Sequence, residues 1–320
     1  MSNQRTRFIL DQLPLRGVHV NLEQVWQHIV GQKNYPAPIA RALGELVAAG
    51  ALLAANLKFD GTFILQVQGT GVLKLLVAEA TSEQTCRGTA RFDDSVEIAD
   101  DASLQDLMGE QGQFVLTLQP RQGEMWQGIV GLQGTSIAQM LANYLAQSEQ
   151  LDSDLILAAD DKQAVGMMVQ RLAGQDMARE DWQYVESLLQ TVNQDELLHT
   201  TANTLLYRLF HEQEVRVFEP EHLEFACTCS HEKVGNMLLL LGGQEVGQIL
   251  LEQGSVEIAC DFCQQKYVFD EEDVKALFGS DVSAAIPPVC TSRMMPAPPT
   301  ASILVTAEPK SLSSTPCTRA

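Results

Sequence analysis

Four of the chain's seven cysteines fall in two short motifs, Cys227-x-Cys229 within FACTCSHEK and Cys260-x-x-Cys263 within IACDFCQQKYVF, with thirty residues between them. Two such pairs are the usual way to bring four thiolates to a tetrahedral Zn²⁺, at about 2.3 Å per bond. A C-x-x-C pair curls both sulfurs toward one ion. The C-x-C pair is harder, because residues i and i+2 of an extended chain point the same way yet lie about 6 to 7 Å apart; the chain must bend at Thr228. The spacing nominates Cys227, Cys229, Cys260 and Cys263 as ligands of one Zn²⁺ per chain. Four unrelated buried cysteines is the poorer explanation, since the other 316 residues supply only three. His222 and His231 flank the first pair, but with four thiols available they read as solvated loop histidines.

A metal matters to a segment this small. Glu221 to Gly279 is 59 residues, and chains near 60 residues bury only about 60% of their unfolded surface. Structural zinc supplies about 10 to 16 kcal/mol of apparent binding free energy, which in such a segment is folding free energy. Thiolates are also what oxidants attack. Close spacing favours the local disulfides Cys227–Cys229 and Cys260–Cys263, neither of which rejoins the two halves of the segment. On this reading clip and disulfides are successive states, and redox state is a folding switch. Two other readings stay open. A permanently zinc-stabilised protein-binding module would use the same cysteines, and a thiol-disulfide oxidoreductase would use a C-x-x-C, although CDFC lacks the βαβ context and helix start of a thioredoxin-like site.

Composition narrows the partners. The formal charge is −20 with 45% hydrophobic residues, so the core is real while the surface field repels phosphate backbones and anionic lipid. Glu221 to Gly279 holds eleven acids against three lysines, a net −8, unlike the basic face of a ribbon that reads nucleic acid. Neither nucleic acid nor membrane is the expected partner. The stretch Ile39 to Leu57 is apolar but carries Arg41 and Glu45, which reads as a buried helix rather than a membrane span. MSNQRTRFILDQLPLRG has no apolar core of a secretory leader. A cytoplasmic location follows, where paired cysteines mean metal or redox chemistry. No P-loop, G-x-S-x-G or H-E-x-x-H occurs, and Asp160-Asp161 reads as a turn; no catalytic residue is expected.

The elements that must position the cysteines divide the 320 residues into an expected α+β architecture. Over 1–175, alternation at Phe63, Leu65 and Val67, then VLKLLV, RGTARF, FVLTLQP, EMWQGIVGL, DLILAA and GMMVQRL predict an antiparallel sheet with helices. Ser136 and Gln139 predict a capped helix start. Over 176–222 helical stripes appear at Trp182, Val185, Leu188, Leu189 and Val192, and at Leu205, Leu206, Leu209 and Phe210. Asn193 with Glu196 marks a helix start between them. This stretch carries ten acids against three bases, a net −7. It reads either as a metastable helical linker packed conditionally on its neighbours or as an ordinary amphipathic helical subdomain. The small zinc-binding unit spans 223–279. Residues 280–320 hold seven of the twelve prolines and read as a disordered tail, with Cys290 and Cys317 as free thiols; no role is read for Cys86.

With these residues in place the chain resembles the heat-shock protein 33 chaperones, from about Arg16 to Phe278. CTCS at 227–230 and CDFC at 260–263 followed by YVF carry the resemblance most specifically. YPAP at 35–38, NLKFDG at 56–61, QVQGTG at 66–71, RGTAR at 87–91, QGIVGLQG at 127–134, YLAQSEQL at 144–151 and LLYRLFHEQEVRVFEP at 205–220 support it. The resemblance implies a redox-regulated holdase. Its reduced form is inactive and holds zinc through Cys227, Cys229, Cys260 and Cys263. Oxidation forms the two local disulfides, expels the metal, loosens the adjacent linker and yields a homodimer that binds unfolded proteins without ATP. The proline-rich tail has no counterpart in the family pattern.

Overall fold

In the computed structural model, residues 3–56, 60–131, 134–148 and 152–279 are described. The tail 280–320, with Cys290 and Cys317, lies outside them. The chain opens with a hairpin, β1 (Gln4–Leu10) and β2 (Leu15–Leu22), then α1 (Gln24–Val30) and the long α2 (Ala37–Ala54). There follow β3 (Gly61–Gly69), β4 (Leu73–Thr81), β5 (Thr85–Phe92), α3 (Leu104–Met108), β6 (Gly112–Pro120), β7 (Trp126–Gly131), α4 (Ile137–Ser148), β8 (Ser153–Ala159) and β9 (Ala164–Arg171). Three helices come next, α5 (Arg179–Leu189), α6 (Gln194–His199) and α7 (Ala202–Phe210), then the short strands β10 (Val215–Val217), β11 (Glu221–His222) and β12 (Glu224–Phe225). The last elements are α8 (His231–Leu241), α9 (Gly243–Gln253), β13 (Val256–Ala259), β14 (Lys266–Phe269) and α10 (Glu271–Phe278).

The expected single sheet is two. One runs β10-β1-β2-β9-β8 with β11 also on β1, and the other runs β12-β5-β4-β3-β6-β7. The alternating segments read from sequence are β3 to β9. The β1–β2 hairpin was not read as strands, because RTRFIL and GVHVNL bury residues on both faces and so lack clean alternation.

Helix α2 lies between the two sheets and shares one core with both. By length and composition it is the one described helix able to cross a membrane alone, yet 78% of that window is buried inside the protein. Asp160 confirms its expected turn, its carboxylate accepting from the backbone N–H groups of Lys162 and Gln163. Gln139 caps α4 differently from expectation: its side-chain oxygen reaches back to the Thr135 backbone N–H at 3.0 Å, while the Ser136 hydroxyl accepts from Gln139.

The other face of the first sheet carries Phe8, Leu10, Leu15, Val165, Met167 and Val169, and α5 to α7 cover it with Val185, Leu189, Leu197, Leu205, Leu206, Leu209 and Phe210. Both predicted stripes are therefore buried, with Trp182, Leu188 and Val192 at the margin. Asn193 and Thr201 cap α6 and α7 by accepting from the N–H groups of Glu196 and Thr204. After α7 the chain is stitched to the sheets: β10 and β11 pair with β1, and β12 lies parallel to Thr85 and Cys86 of β5. Glu221 bridges Arg5 and Arg7, each at 2.6 Å.

A close approach at Gly17 joins this face to the helices. A Cβ there would sit 2.0 Å from the Phe8 ring, and Phe8, itself buried, meets Phe210 of α7 at 6.2 Å between centroids. Gly17→Ala must push Phe8 into α7. It should lower thermal stability by about 1 to 3 kcal/mol, as overpacking does, and raise amide exchange in α7 more than in α2. Unchanged exchange in α7 would contradict the coupling.

Candidate metal centre

The two cysteine motifs sit on the loops flanking a small third core. Val234, Leu238, Val246, Leu250, Val256, Phe269 and Val274 are its buried members, and α8, α9, α10 and the β13–β14 hairpin supply them. The first loop runs from β12 to α8. Ser230 caps α8 by accepting from the Lys233 N–H, and Lys233 Nζ donates to the Thr228 carbonyl at 2.7 Å, tying the loop to the first turn of α8. The second loop joins β13 to β14. Its turn is closed by Cys260 N–H to Gln265 O at 2.9 Å and Gln264 N–H to Cys260 O at 2.8 Å. Gln264 takes a left-handed backbone, φ 56°, which is uncommon for a side-chain-bearing residue; its amide also donates to the Cys260 carbonyl at 3.1 Å.

These loops bring all four predicted cysteines together. The Sγ atoms of Cys227, Cys229, Cys260 and Cys263 lie within 4.8 Å of one another. The pairs Cys227–Cys260 and Cys229–Cys263 are at 3.7 and 3.4 Å. Four sulfurs at about 2.3 Å around a tetrahedral ion stand about 3.8 Å apart, so the donor set fits such an ion. The shortest contacts run between loops, as a clip requires. His222, exposed on β11, and His231, at the first turn of α8, are outside the group. His231 is not a loop residue: its ring stacks on Phe269 at 4.2 Å.

Charge at the four sulfurs is uneven. Burial opposes ionisation of Cys229, but the Tyr267 hydroxyl, donating at 3.1 Å, and the neighbouring thiols bring it down to about 7. Burial pushes Cys263 up to about 12 and also raises Cys260, with ionised neighbours adding to both. Cys86 is a different case: burial in the strand β5 lifts it to about 12, the setting of an inert structural thiol.

Sequence reasoning missed the residues of the other domain that touch the loops. Arg87, Thr89 and Arg91 project from one face of β5. Arg87 places a nitrogen 3.4 Å from Cys227 Sγ, lies 4.2 Å over the Phe262 ring and pairs with Glu79 at 2.6 Å. The Thr89 hydroxyl donates to the Asp261 carbonyl at 2.9 Å. The Asp261 carboxylate accepts from Arg91 at 2.5 Å and Lys33 at 3.4 Å. The only available signal was the period-2 spacing of three polar residues in RGTAR.

Comparison with known proteins agrees with this architecture. The family model described as Hsp33 protein matches residues 3–270. A 33 kDa chaperonin of Neisseria meningitidis serogroup A is 62% identical over 278 residues, covering 87% of this chain and 92% of that protein. A 33 kDa chaperonin of Chromobacterium violaceum is 52% identical over 281 residues, covering 87% and 95%. The crystal structure of the 33 kDa chaperonin, a heat shock protein 33 homolog, of Thermotoga maritima superposes with a TM-score of 0.76 at 25% identity, covering 86% of this chain and 97% of that one.

Filling the centre must displace the protons of Cys260 and Cys263 and part of that on Cys229, so apparent affinity falls as pH falls. Tyr267→Phe removes a hydrogen bond to the ionised Cys229 and raises its pKa, adding to the protons displaced near pH 7. We expect Zn²⁺ affinity to drop about tenfold, as for lost outer hydrogen bonds to ligands, with a steeper pH dependence near 7. Competition against a chromogenic chelator measures both; an affinity equal to wild type contradicts the role of Tyr267.

Proposed function

The chain belongs to the Hsp33 family, whose members are chaperones and not enzymes, and from that premise we propose that it is an ATP-independent holdase controlled by redox state. The observation that carries the proposal is the meeting of four thiols from two loops in a segment whose own apolar core is small. We assign the centre to one Zn²⁺ per reduced chain, held by Cys227, Cys229, Cys260 and Cys263. When bound, the ion keeps the sulfurs as thiolates and ties the two loops together.

The remaining steps belong to the chain. Forming each disulfide removes two electrons from a pair of thiolates; one hydrogen peroxide accepts them together with two protons from solvent and leaves as two waters. Sequence proximity directs the bonds to Cys227–Cys229 and Cys260–Cys263 once the donor set is lost. No link then spans Cys229 to Cys260, and 223–279 loses its fold as the metal is released. In this division 1–175 binds clients and dimerises, 176–222 is the metastable linker, and 223–279 is the switch. Undocking of α5 to α7 would bare the apolar face around Phe8, Leu15 and Met167, a surface that unfolded clients can cover. The linker's net −7 favours solubility of the open form. A cytoplasmic location and an oxidised homodimer complete the proposal.

The test pairs zinc content with client aggregation. The reduced chain should carry one zinc and leave a thermally unfolding client to aggregate. After peroxide it should lose the zinc, form the two local disulfides, run as a dimer and suppress aggregation without ATP. Cys260→Ser should act without oxidant. Equal activity in both states with zinc retained would support instead a permanently zinc-stabilised binding module.

A further inference from the structure

The loop between Cys260 and Cys263 is not free in solvent but seated on the other domain. Asp261 and Phe262, the two residues between the cysteines, carry its hydrogen bonds, ion pairs and ring contact to that domain. The Asp261 carboxylate is held between Arg91 and Lys33, and its carbonyl accepts from Thr89. Phe262 lies under the Arg87 guanidinium. That guanidinium is fixed from behind by Glu79 and reaches Cys227 on the other loop. Thr89 is only 4% exposed. The charges are complementary: Arg87 and Arg91 on β5 and Lys33 in the loop after α1 face a segment of net −8.

We propose that the β5 face of Arg87, Thr89 and Arg91, with Lys33, is a latch that seats the Asp261–Phe262 loop and slows the opening of the cysteine centre in the reduced chain. Arg91 and Lys33 touch no sulfur; they are positioning residues acting through Asp261. Seating is cooperative with the clip. While the sulfurs hold the turn, Asp261 and Phe262 are presented together, and while the latch holds Asp261, the turn cannot swing away from Cys227. The proposal rests on the four cysteines being the switch, but it concerns the reduced state and can fail separately.

The test follows alkylation of the two cysteine motifs in the reduced full chain by mass spectrometry, with zinc content recorded alongside. The chains compared are wild type, Arg91→Ala, Arg91→Lys, Asp261→Asn and the double variant Arg91→Ala/Asp261→Asn. Removing a nearby cation raises a thiol's pKa and so slows its chemistry if the centre is otherwise unchanged. The latch predicts the opposite: Arg91→Ala reacts at least several-fold faster, Arg91→Lys lies between it and wild type, and the double variant is no faster than the faster single one, because both sever the same contact. Alkylation of Arg91→Ala at or below the wild-type rate overturns the latch. Should Asp261→Asn fail to fold, Arg91→Ala, on the surface of the other domain, still decides. A wild-type chain without zinc would sink the proposed metal switch, while the same rates would still judge the latch.

Discussion

The fold of the C-terminal segment hangs on the gap between what its apolar core can hold and what its two loops need. Seven buried side chains from α8, α9, α10, β13 and β14 make that core. Across the gap between the Cys227 and Cys260 loops the sulfurs meet at 3.4 and 3.7 Å, beside the Phe269–His231 stack. A small core of this kind is marginal without a cross-link or metal. Under the proposed function, chemistry at four atoms decides whether residues 223–279 are folded.

That dependence passes to the rest of the chain through contacts that are mostly polar. Strand β12 and the Phe225 ring, 4.0 Å from His28, attach the first loop just ahead of Cys227, and the Asp261 loop sits on β5. The helices α5 to α7 lie between the anchor points at β9 and at β10–β11. Their buried stripes are apolar, and the helices themselves carry five acids against two arginines. Packing favours the docked state and charge repulsion opposes it, so the proposed function takes the helices to depend on both anchors.

Much of this was legible in the sequence. The C-x-C and C-x-x-C spacing identified the four residues that meet, because a cysteine pair has few other reasons to recur in a chain with so few cysteines. The stripes at Val185, Leu189, Leu205 and Leu209 were legible because helical period survives in a one-faced helix. The β1–β2 hairpin was not, since a strand covered on both faces loses its alternation. Strands β10 to β12, two or three residues long, carry no periodic signal at all. The contacts of Thr89, Arg91 and Lys33 with Asp261 join positions about 170 to 230 residues apart, and no local pattern reports such a pairing.

The central claim is that the state of four sulfurs controls whether α5 to α7 stay docked. Amide hydrogen exchange across the full chain, reduced and then oxidised, tests it most directly. The account predicts that oxidation strips protection from residues 223–279 and from α5 to α7, while α2 and the strands around it keep theirs. Protection of α5 to α7 that survives oxidation as fully as that of α2 would contradict it.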